Sequence, residues 1–191
     1  LKAFGDKFQK IFSESTKLNL QKAGQGDNVE QFYAKKIIFA AFLGVFMMVV
    51  RPEFLAIIFG MIVGFVYPDY KLKKQIEKRR QIIKEEIPEF FDLMVATYPS
   101  TSGFDEAVRK IVERGDGVLV DEFRLYLSEK NSGKTTRDAL LSFAERCDTK
   151  EVDSFVRQVI NSEKLGTELA DTLKEQADKM RGLKKEIAEI K

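Results

Sequence analysis

The sequence predicts an all-α protein: an antiparallel cytoplasmic helical bundle preceded by a transmembrane helical hairpin. Three observations predict it. Two uninterrupted apolar runs of 14 residues, Ile37 to Val50 and Phe54 to Tyr67, lie on either side of Arg51-Pro52-Glu53. From Pro68 onward, apolar residues recur at helical spacing with no sustained period-two alternation. Lysine and arginine gather at the outer ends of the two runs, with a single Arg51 between them. The expected organisation is a cytoplasmic amphipathic juxtamembrane segment over 1–36, the hairpin over 37–67 and the helical-bundle domain over 68–191.

In the juxtamembrane segment, Phe4, Phe8, Ile11 and Phe12 repeat at helical spacing with Lys2, Lys7 and Lys10 between them. That pattern suits an amphipathic helix on an anionic leaflet. A loop at Gly24 to Asn28 follows, with Asp27 or Asn28 expected to cap the next helix. The run is preceded by 36 residues, too long a leader for a signal peptide.

Each apolar run covers about 21 Å as a helix, against a hydrocarbon core of about 30 Å. Flanking residues must therefore extend both helices, with Phe32, Tyr33 and Ala34 at the first and Lys35 and Lys36 snorkelling. Pro52 marks the turn. Lys35 and Lys36 before the hairpin, and Lys71, Lys73, Lys74, Lys78, Arg79 and Arg80 after it, place both ends in the cytoplasm. The rival is a hairpin buried in a soluble core, but these runs are apolar around the whole circumference. Gly60 and Gly64 form a GxxxG spacing that permits close helix packing.

In the bundle, Leu72, Ile76, Ile82, Ile83 and Ile87 mark one helix, and Pro88 is expected at the first turn of the next, which ends at Tyr98-Pro99. Ser102 with Asp105 reads as a capping box for a helix through Ala107 and Ile111, closed by Gly115 and Gly117. Helices through Phe123 and Tyr126, then Leu140 and Phe143, flank a loop at Asn131 to Lys134; Asp148 or Thr149 caps the next, through Phe155 and Val159. Leu169, Leu173, Gln176, Met180, Leu183, Ile187 and Ile190 then follow a 4-3-4-3-4-3 spacing, a coiled-coil-like seam.

Composition excludes several chemistries. The chain has 191 residues, no His and one Cys, so imidazole catalysis, His metal sites and an internal disulfide are out. Thirty-two basic and 30 acidic residues give a formal charge of +2, which argues against a nucleic-acid partner by bulk charge. The balance hides an uneven distribution: residues 87–191 carry 17 basic and 21 acidic side chains, whereas the hairpin holds only Arg51 and Glu53.

Ser132-Gly133-Lys134-Thr135-Thr136 contains the Gly-Lys-Thr of a phosphate loop, but Ser128 stands where the first glycine belongs and no strand precedes it. The fragment reads as a helix-capping loop. Carboxylates such as Glu122, Glu145, Glu151, Asp153 and Glu163 fall on expected solvated faces, and Cys147, beside Arg146 near an expected helix end, reads as inert. No catalytic, cofactor-binding or metal-ligating residue is expected.

Residues 87–190 resemble the cytoplasmic domain of the type II secretion system F family, in the branch of the Tad (Flp) pilus platform proteins. The resemblance rests on Ile87-Pro88 with Phe91, Leu93 and Met94, then Gly103, Ala107-Val108, Glu122, Gly133, Ala139-Leu140 and Ala144 to Arg146. It continues through Glu151, Phe155, Ser162 to Gly166, Leu169, Leu173 and Arg181, and Leu20 to Gly24 resembles the juxtamembrane segment. Tyr98 to Thr101 departs from the small residues usual there. The family continues into further membrane helices beyond its domain, so the chain is expected to be part of a longer protein.

The resemblance implies a non-enzymatic, multi-pass platform in the cytoplasmic (inner) membrane. It implies contacts with a hexameric secretion ATPase, pilin subunits, and itself or a paralogous platform protein, besides membrane lipids. Charged residues expected at bundle ends, Arg79, Arg80, Glu122, Arg146 and Glu163, are the candidate partner contacts, although Glu122, Arg146 and Glu163 equally suit internal ion pairs. Gly60, Gly64, Leu173, Met180 and Ile187 are the candidate helix-packing residues. The alternative function is a membrane-anchored scaffold or signalling module that dimerises through Leu173, Met180 and Ile187.

Overall fold

The structure is a computed structural model that describes residues 14–26, 28–50, 53–165, 173–175, 177–178 and 182; the side chains of Phe54 and of residues 162–165 fall outside the description. The described residues are all-α. The expected amphipathic residues from Lys2 to Phe12, and the turn at Arg51-Pro52, lie outside them. The chain divides into two compact units, 1–79 and 80–191, and the division falls within a helix.

In the first unit, helix α1 occupies 14–22 and α2 Val29–Val50. Asn28 precedes α2, and its carbonyl accepts the Phe32 N–H at 3.2 Å. At 22 residues, α2 is about 33 Å long. Helix α3 runs unbroken from Phe54 to Thr97, 44 residues. Both α2 and α3 are long and apolar enough to cross a membrane.

The continuity of α3 corrects the expected helix start at Pro88, and the helix also carries through Pro68. Each proline leaves the carbonyl four residues earlier, on Gly64 and Lys84, without a helical N–H donor. The helix nevertheless carries through, because its apolar stripe does not change period at Pro88. Ile83, Ile87, Phe90, Phe91 and Met94 all enter one core, and breaking the helix would strip that stripe of its packing.

In the second unit, α3 is followed by a 3₁₀ turn at Tyr98–Ser100 and then α4 (Phe104–Arg114), α5 (Val118–Asn131), α6 (Thr136–Cys147) and α7 (Lys150–Leu165). Helix α4 packs on α5, α5 on α6 and α6 on α7. Aromatic rings tie α3 to the others: Phe90 stacks on Phe123 at 4.2 Å, and Phe91 meets Phe155 edge-on at 4.7 Å. Leu173 and Ala177, beyond α7, are buried in the same core.

Local signals account for the helix ends. Thr135 Oγ1 accepts the Asp138 N–H and caps α6. Asp148 adopts φ 52° as the left-handed C-cap of α6, and Thr149 Oγ1 accepts the Val152 N–H at the start of α7. At α4 the box closes from Ser102 to Glu106, not to Asp105: the Ser102 N–H and hydroxyl donate to Glu106 Oε2 at 2.8 and 2.5 Å. Asp105 turns inward, accepting from Tyr126 Oη at 2.6 Å and pairing with Lys130.

Candidate functional site

The hairpin is built around close glycine contacts. A Cβ on Gly64 would lie 2.8 Å from Ala40 Cα and 2.9 Å from the Phe39 carbonyl oxygen, both backbone atoms that cannot yield. A Cβ on Gly60 would fall 2.7 Å from Met47 Cγ and 3.1 Å from the Leu43 carbonyl oxygen. The helices thus approach backbone to backbone along the GxxxG face, as its spacing predicts. Gly44 adds a contact that the GxxxG pattern does not contain, with a Cβ there 2.9 Å from Met61 Cγ.

At the base of the hairpin, Lys36 does not snorkel. Its side chain is 6% exposed, its Nζ pairs with Asp69 Oδ2 at 2.6 Å, and it lies 4.7 Å from the Phe65 ring centroid and 5.2 Å from that of Phe32. A neutralised, ring-enclosed ammonium is far cheaper to place at an apolar boundary than a free one. The pair lengthens the apolar section of α2 beyond its 14-residue run. The sequence signal for it, Lys36 and Asp69 mirrored about the turn, is legible only once the helix register is known.

Outside this seam the hairpin shows apolar surface on every side. Ile38, Phe42, Val49, Leu55 and Phe59 are each more than 60% exposed. A soluble core would cover such residues, and among the described residues nothing does.

The second unit holds a different kind of site. Glu122 and Arg146, expected at bundle ends as partner contacts, are 4% exposed each, and Arg146 Nε donates to Glu122 Oε2 at 2.7 Å. They are core residues, which corrects the partner-contact assignment and fits the internal ion pair. Arg146 Nη1 also reaches Glu129 Oε1 at 3.0 Å, and Lys134 Nζ reaches the same oxygen at 2.9 Å. Lys134, the lysine of the phosphate-loop fragment, is thus held by a carboxylate and by Ser142 Oγ at 3.2 Å.

Of the other candidate contacts, Arg80 is half-buried and bonded to Asp148. Arg79 packs beneath Gly24, whose Cβ would lie 3.0 Å from Arg79 Nε. Glu163 falls in α7, with its side chain outside the described residues. Leu173 is fully buried in the chain's own core, and Met180 and Ile187 lie outside the described residues.

One arrangement went unread in the sequence. Glu86 of α3 accepts the Val118 and Leu119 N–H groups at 3.2 and 2.7 Å, capping α5 from a separate helix. Gly117, at φ 130°, lets the chain pass: a Cβ there would lie 2.9 Å from the Glu86 carboxylate oxygens. Glu86 borders a groove of about 770 Å³ floored by Phe90, Leu93, Ile111 and Leu119. Cys147 is buried, and no group of three or more potential metal ligands occurs among the described residues.

A scan against protein-family models, a search of curated proteins and a search of solved structures each return no match.

Proposed function

We propose that the chain is a non-enzymatic platform protein of a Tad or type IV-like pilus, or of a type II secretion machine, in the cytoplasmic membrane. In this reading α2 and the start of α3 cross the bilayer, with both ends and the helical bundle in the cytoplasm. The bundle engages a hexameric secretion ATPase, and the hairpin acts on pilin subunits. The observation that carries the reading is the hairpin itself, glycine-packed inside and apolar on all outer faces, joined by one unbroken helix to a bundle bearing the family's residue pattern over 87–190.

The internal chemistry is consistent with a mechanical part. Glu122, Arg146 and Glu129 hold helices together, and Lys134 is engaged in the same network. Force transfer requires elements that keep their shape, for which buried ion pairs and trans-caps are suited. Deleting the gene abolishes surface filaments or secretion in this reading, and the full chain retains the ATPase in a pull-down. Normal filaments and secretion in the deletion strain would end it.

The alternative, a scaffold that dimerises through its terminal helix, draws on the 4-3 spacing of Leu173, Met180 and Ile187. Leu173 is already buried within one chain, which weakens that seam at its first position. A dimer in detergent that dissociates on mutating Met180 and Ile187 would favour it.

A further inference from the structure

The base of the hairpin gathers exposed cations along about two turns of α3. Phe39 stacks on Tyr67 at 5.1 Å and Lys36 pairs with Asp69, so α2 and α3 run antiparallel with Lys35 level with the turn that starts at Tyr70. Lys71, Lys74 and Lys78 follow at positions i, i+3 and i+7, which share one face of α3. The opposite side of that turn is taken. Leu72 and Ile76 pack with Leu20 of α1 and Phe32 of α2, and Gln75 accepts from Gln25 at 2.6 Å.

Lys35, Lys71, Lys73, Lys74 and Lys78 are all exposed, and none pairs with an acid among the described residues. Two acids lie beside them: Asp69, paired with Lys36, and Glu77 on the same helix, which leaves the cations in excess. Tyr67 and Tyr70, 48% and 64% exposed, lie just below the lysines on the same helix, where an interfacial aromatic belt belongs. Cations one turn beyond such a belt sit at headgroup height.

We propose that this collar is a binding surface for anionic phospholipid headgroups of the leaflet the hairpin enters, with Lys71, Lys74 and Lys78 as its principal cations and Lys35 beside them. The occupant is a lipid phosphodiester rather than free phosphate, because the lysines are strung over about 10 Å of one exposed helix face instead of converging on a pocket. The inference rests on the hairpin crossing a bilayer.

The full chain, reconstituted in nanodiscs of equimolar phosphatidylglycerol and phosphatidylcholine, is extracted gently, and the retained lipids are counted by native mass spectrometry. Phosphatidylglycerol is expected to be enriched over the input. Enrichment falls about fivefold or more in K71Q/K74Q/K78Q, persists in K71R/K74R/K78R and weakens with added salt. An input ratio in the wild type, or equal enrichment in the wild type and the glutamine variant, overturns the proposal, as does full displacement by inorganic phosphate. An equal limited-proteolysis pattern shows that the variants fold alike. A chain washed off membranes by alkaline carbonate removes the bilayer reading along with this one; an inserted chain without lipid preference removes this one alone.

Discussion

Glu86 performs for α5 what an N-cap residue normally performs from within its own helix. The first amides of a helix have no intrahelical acceptor and carry the positive end of the dipole. Gly117, at the N-cap position, has no side chain to offer, so the carboxylate arrives from α3 instead. Glu86→Ala is expected to destabilise the protein by about 1–2 kcal/mol, read as a lowered thermal midpoint of the detergent-solubilised chain. An unchanged midpoint would mean that water replaces the cap without loss. The buried Arg146 behaves differently, since removing it takes a neutralising guanidinium away from the buried Glu122 carboxylate. Arg146→Met should cost about 3–5 kcal/mol, whereas the paired change with Glu122→Leu should recover much of it. A double variant no more stable than the single would contradict that account. Glu106 supplies a pH dependence: hydrogen bonds from the Ser102 hydroxyl, then from its backbone N–H, hold the carboxyl below its usual value of 4.5, with Lys110 helping. A depressed folded pKa contributes stability that is complete above the unfolded value and lost as the pH falls through the folded one. Acid titration below about 4.5 should therefore fray α4, and Ser102→Ala should flatten that limb of the melting curve.

At the scale of elements, the hairpin depends on two glycines that are not equivalent. The Gly64 contact is backbone on backbone, while the nearest atom to Gly60 is a flexible Met47 side chain. Gly64→Ala should therefore separate the helices more than Gly60→Ala. Cysteines placed at Phe39 and Tyr67, whose rings stack, report this directly. Cross-linking by a short bifunctional reagent is expected to fall sharply with Gly64→Ala and only modestly with Gly60→Ala. Equal losses would show that backbone approach does not set the seam. The same elements show what was legible beforehand. The two apolar runs, the glycine spacing and the helices α4 to α7 follow from period and capping, which are local properties. Two features escaped because each is a contact across sequence, the Lys36–Asp69 pair and the Glu86 cap, while for Glu122 and Arg146 the sequence left a partner contact and an internal ion pair both open. A buried ion pair leaves the same letters as a solvated one. Pro88 misled for a related reason, since its local preference for a helix start was outweighed by an apolar stripe packed on both sides of it.

For the whole molecule, α3 is the element on which the platform reading turns. Its 44 residues include hairpin positions packed against α2 and core positions packed against α5 and α7, with no loop between the two sets. A helix advances about 1.5 Å and turns about 100° per residue, so any motion imposed on one part of it is passed along as rotation or translation unless the helix is interrupted. Inserting four glycines after Glu77 interrupts it outside the Gly60–Gly64 seam and before the first core residue, Ile83, since glycine is the weakest helix former after proline. Each unit retains its apolar packing residues in such a variant, and only the Arg79 contact beneath Gly24 is displaced. Membrane insertion and the protease resistance of the bundle are therefore expected to persist, while filament assembly or secretion is lost. A helical insertion of the same length, four alanines, restores continuity with an added rise of about 6 Å and about 40° of rotation, and should recover part of the function. Assembly that tolerates the glycines as well as it tolerates the alanines would show that α3 serves as a tether, and the proposed platform role would then require the ATPase to act on pilin by a route that does not pass through this helix.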